Sequence, residues 1–310
     1  MFNIIFHADW SMHANKRWVA SATLTGEKWT VDVLRKVGAT EFFLAELFEK
    51  KSSGNRILAG FDFPIGVPLA YGSKTCFGGF QSALLAFGNV PGWESFFSVA
   101  ESDAEVTLQR PFFPRRPRQG MTRDSLVARL SVESFSDLIR ECERGGNGRR
   151  AACALFWTLG GNQVGKGALT GWQEIIRPAL KGGALLWPFA GELEDLASRP
   201  CLVIAETYPA DAYACLGASF RPGESKRRPQ DRQKKAEPIL NWAERQGVCV
   251  DAVKSAIKKG FDEKNEGGED GFDALVGLLE MISVVKKDIP EASLMLPPLH
   301  ATWEGWILGR

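Results

Sequence analysis

The chain has 310 residues, 45% of them hydrophobic and 24% charged, with a formal net charge of +1. This is the composition of a globular protein with a large core, and no apolar stretch approaches the roughly 20 residues that would span a bilayer. Six cysteines without a C-x-x-C spacing predict reduced core thiols, and only three histidines argue against a histidine-rich zinc site.

In chain order, Asn3-Ile-Ile-Phe-His-Ala-Asp9 reads as a buried strand ending in a carboxylate. His7 within it reads as a packed or hydrogen-bonded core histidine. Residues 17–24 and 28–34 read as two more strands joined by a tight turn at Thr25-Gly26-Glu27, which predicts an antiparallel meander. Thr40 can cap a helix whose apolar face is Phe42, Phe43, Leu44, Leu47 and Phe48, stopped by Gly54-Asn55. Residues 56–62 read as a fourth strand, again ending in a carboxylate, Asp62. The helix before it makes it a crossover strand, predicted to run parallel to the first.

The strand signal then disappears for about 130 residues. Helical or mixed character at 82–87, 94–100, 125–143, 149–159 and 171–180 predicts a mostly helical insertion at about 70–200 within one domain spanning 1–310. Strand five is Cys201-Leu-Val-Ile-Ala-Glu206. Helices follow near 209–217, 236–246 and 251–260, then a last helix over 270–287. The tail carries Trp303 and Trp306, predicted to staple it down. The N-terminus lacks a basic lead and reaches Asp9 too early for a secretory signal, which predicts a cytoplasmic protein.

Three antiparallel strands, a helix, a parallel strand, a further strand and a closing helix form the order of a ribonuclease-H-like mixed α/β sheet. In that arrangement Asp9, Asp62 and Glu206 meet at one end of the sheet. Asp273 borders the buried stripe of the last helix and joins them, with Asp270 one turn earlier as an auxiliary or a simple N-terminal cap. Such converging carboxylates suit Mg²⁺ or Mn²⁺, and two such ions about 3.5–4 Å apart can activate water and stabilise a leaving oxygen at a phosphodiester.

The stretches Gly60-Phe-Asp-Phe-Pro-Ile-Gly66, Glu206-Thr-Tyr-Pro-Ala210 and Asp270-Gly-Phe-Asp-Ala-Leu-Val276 resemble the hallmark segments of the domain of unknown function 429 family. The resemblance implies a ribonuclease-H-like fold and a predicted nuclease activity. It matches Asp9 to that family's early strand aspartate, and Asp62, Glu206 and Asp273 to its three later acids. The central insertion matches nothing in the pattern.

Charge adds a partner. Residues 109–123 carry five arginines and no acid, and residues 221–235 carry seven cations against two acids. Such segments suit a polyanion, or else are solvated loops. Arg115, Arg116 and Arg118, interleaved with aromatics, could contact phosphates and stack on bases, and Lys226, Arg227 and Arg228 could reach the acidic end of the sheet. Gly160 to Gly167 nearly spells a phosphate-binding loop but lacks the hydroxyl residue after Lys166, which leaves Lys166 as a substrate contact. The expected activity is therefore a metal-dependent nuclease with Asp9, Asp62, Glu206 and Asp273 as catalytic ligands. A non-catalytic nucleic-acid-binding protein and a nucleotide hydrolase or phosphotransferase are the alternatives. Oligomeric state and the choice between RNA and DNA have no sequence signal.

Overall fold

Every residue of Ile4–Asp9 (β1) is buried, His7 and Asp9 included, because the strand has partners on both edges and cover on both faces. The computed structural model describes residues 1–116, 122–146, 151–159, 164–292 and 297–310. In chain order the further elements are β2 (Trp18–Thr25), β3 (Lys28–Val31), β4 (Arg35–Lys36), α1 (Thr40–Ser52), β5 (Arg56–Phe61), α2 (Leu69–Gly72), α3 (Phe80–Ala86) and α4 (Arg123–Leu130). Then come α5 (Val164–Gly171), α6 (Arg177–Lys181), β6 (Leu185–Leu186), α7 (Leu193–Leu196), β7 (Cys201–Glu206) and α8 (Pro209–Cys215). The last are α9 (Pro229–Gln233), α10 (Ala236–Gln246), α11 (Lys254–Lys259), α12 (Gly268–Val285) and α13 (Pro298–Trp303).

The fold is α/β. Its seven-stranded mixed sheet has the order β3-β2-β1-β5-β7-β6, with β4 also on β2. β1 pairs antiparallel with β2 and parallel with β5, as the meander and the crossover helix predict. β7 runs parallel to β5, so three strands end on the same side. The third expected strand is cut short: β3 stops at Val31, Asp32 N–H makes a last bond to Ser21 O of β2, and Val33 and Leu34 lie outside any strand before β4 resumes on β2. Among the described residues no helix is long and apolar enough to cross a membrane. All six cysteines are free thiols.

The described chain falls into two compact units. Residues 1–62, 179–292 and 307–310 form one, which holds the whole sheet. Residues 63–178 and 297–306 form the other. This differs from the expected insertion of 70–200 in one domain, because residues from Ala179 on belong to the sheet's unit, where β6 pairs with β7. The second unit has its own aromatic core, with Phe87 and Phe96 stacked at 3.6 Å between ring centroids and Trp172 and Phe112 against Phe96. Trp303 and Trp306 are buried, as expected of a stapled tail. The helices expected at 94–100 and over the described part of 149–159 do not form. Phe113 donates its N–H to Phe156 O and accepts from Thr158 N, so 156–158 is extended, held by ladder bonds and by Phe156 packing on Tyr71 and Phe112.

In the first unit α12 crosses β1 and β2 and packs on α8. It is buried on every side from Gly271 to Val285, rather than along one stripe. Glycine makes the close approach possible. A Cβ at Gly277 would lie 2.2 Å from His7 Cε1, and one at Gly60 would lie 2.4 Å from Met281 Sδ. Met281 is flexible, but the His7 ring is fixed by two hydrogen bonds. Gly277→Ala should therefore destabilise the protein by about 1–3 kcal/mol, despite the better helix propensity of alanine. Urea unfolding checks this, and a variant as stable as the parent would refute the close packing.

Candidate functional site

Parallel pairing fixes which side chains meet. In the register, Ile5, His7 and Asp9 of β1 lie on one face with Leu58 and Gly60 of β5 and Ala205 of β7. This is the face that α12 covers, since His7 Nδ1 lies 3.0 Å from Ala274 O and Met281 lies over Gly60. Asp9 ends β1 on this face, 8% exposed. Asp62 immediately follows β5, and its Oδ1 accepts the Trp10 backbone N–H at 2.5 Å. Asp273, 2% exposed, sits on α12 one residue before Ala274. These three acids and Asp270 form one electrostatic group.

Their proton affinities show how strongly they interact. Burial, then Asp62, Asp273 and Asp270, push the Asp9 carboxyl well above the usual range. Burial also raises Asp62 to about 7, opposed by the Trp10 N–H and increased again by Asp273. A side-chain hydrogen bond joins Asp9 to Asp62, so the two titrate as a pair. Asp270 is half-buried and rises to about 6, first through burial and then through Glu269.

Donors that sequence reasoning did not assign complete the group. Tyr213 of α8 donates its hydroxyl to Asp273 Oδ1, and Lys226 donates its ammonium to Asp273 Oδ2. Burial and the Asp273 carboxylate hold the Tyr213 hydroxyl far above its ordinary pKa, so it stays a neutral donor. His7 Nε2 lies 2.9 Å from Thr207 Oγ1. Nδ1–H therefore donates to the Ala274 carbonyl and Nε2 accepts from the threonine hydroxyl, which ties β1, α12 and the end of β7 together. Burial lowers His7 to about 4, so the ring is neutral, as the sequence reading of a hydrogen-bonded core histidine expects. The only sequence signal for Tyr213 and Thr207 was their nearness to Glu206.

Glu206 does not join. It is level with Phe61 in the parallel ladder and shares the face of Phe61, which packs edge-on against Phe43 of α1. That is the face opposite Asp9 and His7. The period of two along a strand puts Thr207, not Glu206, on the α12 side. The acids at Asp9, Asp62, Asp273 and Asp270 come together, whereas the register places Glu206, expected as a metal and catalytic ligand, on the other face of the sheet.

The basic segments are corrected too. Most cations of 221–235 are bound within the protein. The Arg232 guanidinium is buried against the carbonyls of Gly260, Lys226 and Phe261 and against Glu263, at 2.6–3.0 Å. Lys235 bonds Glu224 at 2.6 Å, and Arg228 and Lys234 bond Asp231 at 2.6 and 2.8 Å. Arg228 is thus an intramolecular partner rather than a free phosphate contact. Arg227 is 78% exposed and 3.9 Å from Glu269. In the second unit Phe112 and Phe113 are buried while Arg115 and Arg116 face solvent, so the loop anchors its aromatics in the core. Arg115 pairs with Glu101 at 3.1 Å, and Lys166 Nζ lies 3.4 Å from Arg115 O. Lys166 stands in the first turn of α5, not in a phosphate-binding loop. Arg118 and residues 160–163 lie outside the described residues.

A divalent cation suits the donor chemistry: Asp9, Asp62, Asp273 and Asp270 offer oxygen only, and the cations acting on them are Lys226 and, at Asp270, Lys16 as well. As the side chains stand, no three of His, Cys, Asp or Glu form a ready metal-holding group among the described residues. Lys226 occupies Asp273 Oδ2, and Asp9 and Asp62 bond to each other instead. Comparison with known proteins gives no match to a family model, a curated protein or a solved structure, so the site is read from its own geometry.

Proposed function

We propose that the protein is a metal-dependent phosphodiesterase acting on nucleic acid, built on a ribonuclease-H-like sheet and working in the cytoplasm. The observation that carries this is the juxtaposition of Asp9 and Asp62, at the ends of two parallel strands, with buried Asp273 of α12. Asp9, Asp62 and Asp273 would hold Mg²⁺ or Mn²⁺, with Asp270 at the edge. The ion, when bound, supplies an activated water and neutralises a phosphate oxygen.

The chain's own residues do the rest. Tyr213 orients Asp273. The His7 bridge keeps α12 seated on β1, so the aspartate of the helix and that of the strand keep their separation. Trp10 N–H fixes the rotamer of Asp62. Exposed Arg227 and half-buried Lys226 stand beside the acids as phosphate contacts, while Arg115, Arg116 and Lys166 offer a cationic surface on the second unit. A purely electrostatic nucleic-acid binder is the weaker reading, because so many cations of 221–235 are bound internally.

The test is a cleavage panel of RNA, DNA and hybrid duplexes with chelator-treated protein, resupplied with Mg²⁺ or Mn²⁺. Cleavage of at least one substrate, restored by metal, is expected. No cleavage of any of them, together with no Mn²⁺ binding in calorimetry, refutes the reading.

A further inference from the structure

Both oxygens of Asp273 are engaged, and by donors of different kinds. Oδ1 accepts from the half-buried phenol of Tyr213, whose ring packs against Phe220 and Phe272 at 5.2 and 5.9 Å between ring centroids. That ring can leave only by giving up both aromatic contacts. Oδ2 accepts from Lys226, whose side chain is 43% exposed against 3% for Asp273. Lysine carries its charge on a flexible four-carbon stem and can turn its head into water.

The backbone that bears Lys226 is fixed independently of the ammonium. Its carbonyl accepts from buried Arg232 at 2.6 Å, and the nearby Ser225 N–H donates to Asp231 at 3.0 Å. The stem therefore pivots from a rigid anchor at the rim of the site. Every acid of the group feels this one ammonium: Asp9, Asp62 and Asp270 are each relieved by it, and Glu269 faces it as well.

We propose that Lys226 is a tethered counter-cation that yields Asp273 Oδ2 to the incoming divalent ion, and that its released ammonium then holds a non-bridging oxygen of the substrate phosphate beside Arg227. This rests on the phosphodiesterase reading and adds to it an ion-exchange step within the site. A divalent ion at Asp273 cannot share Oδ2 with an ammonium without like-charge repulsion, so the two occupancies compete. Charge is conserved locally: the lysine moves from carboxylate to phosphate as the metal takes its place.

The first experiment is Mn²⁺ calorimetry on the full chain and on Lys226→Met, which keeps the length of the stem and removes the competing charge. The variant should bind Mn²⁺ at least about tenfold more tightly. Binding by both proteins with equal affinity, or weaker binding by the variant, overturns the exchange and leaves the phosphodiesterase reading standing. No binding by either protein removes the metal itself, and both readings fall.

A second measurement uses the unaltered protein and does not depend on the folding of a variant. Lysine acylation followed by mass spectrometry should find Lys226 slow to react without metal and several-fold faster with Mg²⁺, relative to exposed Lys28 as an internal reference. An unchanged ratio in protein that binds Mg²⁺ overturns the proposal. At saturating Mn²⁺, Lys226→Met should also raise KM for the cleaved substrate by about tenfold, the scale of one lost charged phosphate contact. An unchanged KM overturns the phosphate half of the assignment.

Discussion

Asp9→Asn should abolish metal-dependent cleavage, by roughly a thousandfold or more, while making the metal-free protein more stable. The two effects have one cause. Asp9 is buried at the end of β1, joined to Asp62 by a hydrogen bond, and faced by Asp273 and Asp270. Burial and repulsion oppose its ionisation, a cost that a bound divalent ion would offset. Asparagine keeps the volume and the hydrogen bond to Asp62 but removes the charge. The expected gain in stability above neutral pH is on the order of 1–3 kcal/mol, read by urea unfolding in chelator. A surface acid replaced in the same way gains nothing comparable. Full cleavage by the purified variant, or a loss of stability, would contradict the assignment.

Stability of the metal-free protein should fall as pH rises from about 4 to 7. The sign follows from which state binds more protons. Asp62 rises from 3.8 to about 7 and Asp270 from 3.8 to about 6, with Asp9 raised as well, so in this window the folded state holds protons that the unfolded chain has lost. Stability contributed by these groups is full below the unfolded values and lost on the way up. His7 works the other way. Its folded value near 4 lies below 6.5, so the unfolded chain takes up one proton that the folded state refuses, and this favours folding as pH rises from 4 to 6.5. Three acids outweigh one histidine, and above 6.5 only the acids remain. The net loss should be a few kcal/mol between pH 4.5 and 8, since a tenfold difference in proton affinity between the two states is worth about 1.4 kcal/mol. Millimolar Mg²⁺ should reverse the trend by holding the ionised acids. Urea midpoints across pH, with and without Mg²⁺, decide the matter; a rise with pH in chelator would mean the carboxylates are not crowded.

Much of the sheet was legible because its signals are local. Apolar runs bounded by turns gave β1, β2, β5 and β7, and Gly26 in the hairpin and the intervening helix gave their directions. The carboxylates at Asp9, Asp62 and Asp273 were legible for the same reason, since each ends a run or opens a helix. The aromatic-rich middle was not legible. There Phe113 and Phe156 to Thr158 choose a bridge over a helix because distant rings pack on them, and a helical period in the sequence carries no record of that.

The residues themselves determined a mixed α/β sheet, a closing apolar helix and a set of acids at strand ends, because these depend on periodicity and on turn chemistry. Only the tertiary structure decided which acids meet. Register is set to a single residue by the pairing of β5 with β7, and one residue along a strand reverses the face, so Glu206 turns to α1 while Thr207 reaches His7. It likewise decided that the lysines and arginines of 221–235 bind mainly to this chain's own carboxylates and carbonyls. An ion pair depends on distances between segments far apart in the chain, and for Lys226 the partner is an aspartate 47 residues away.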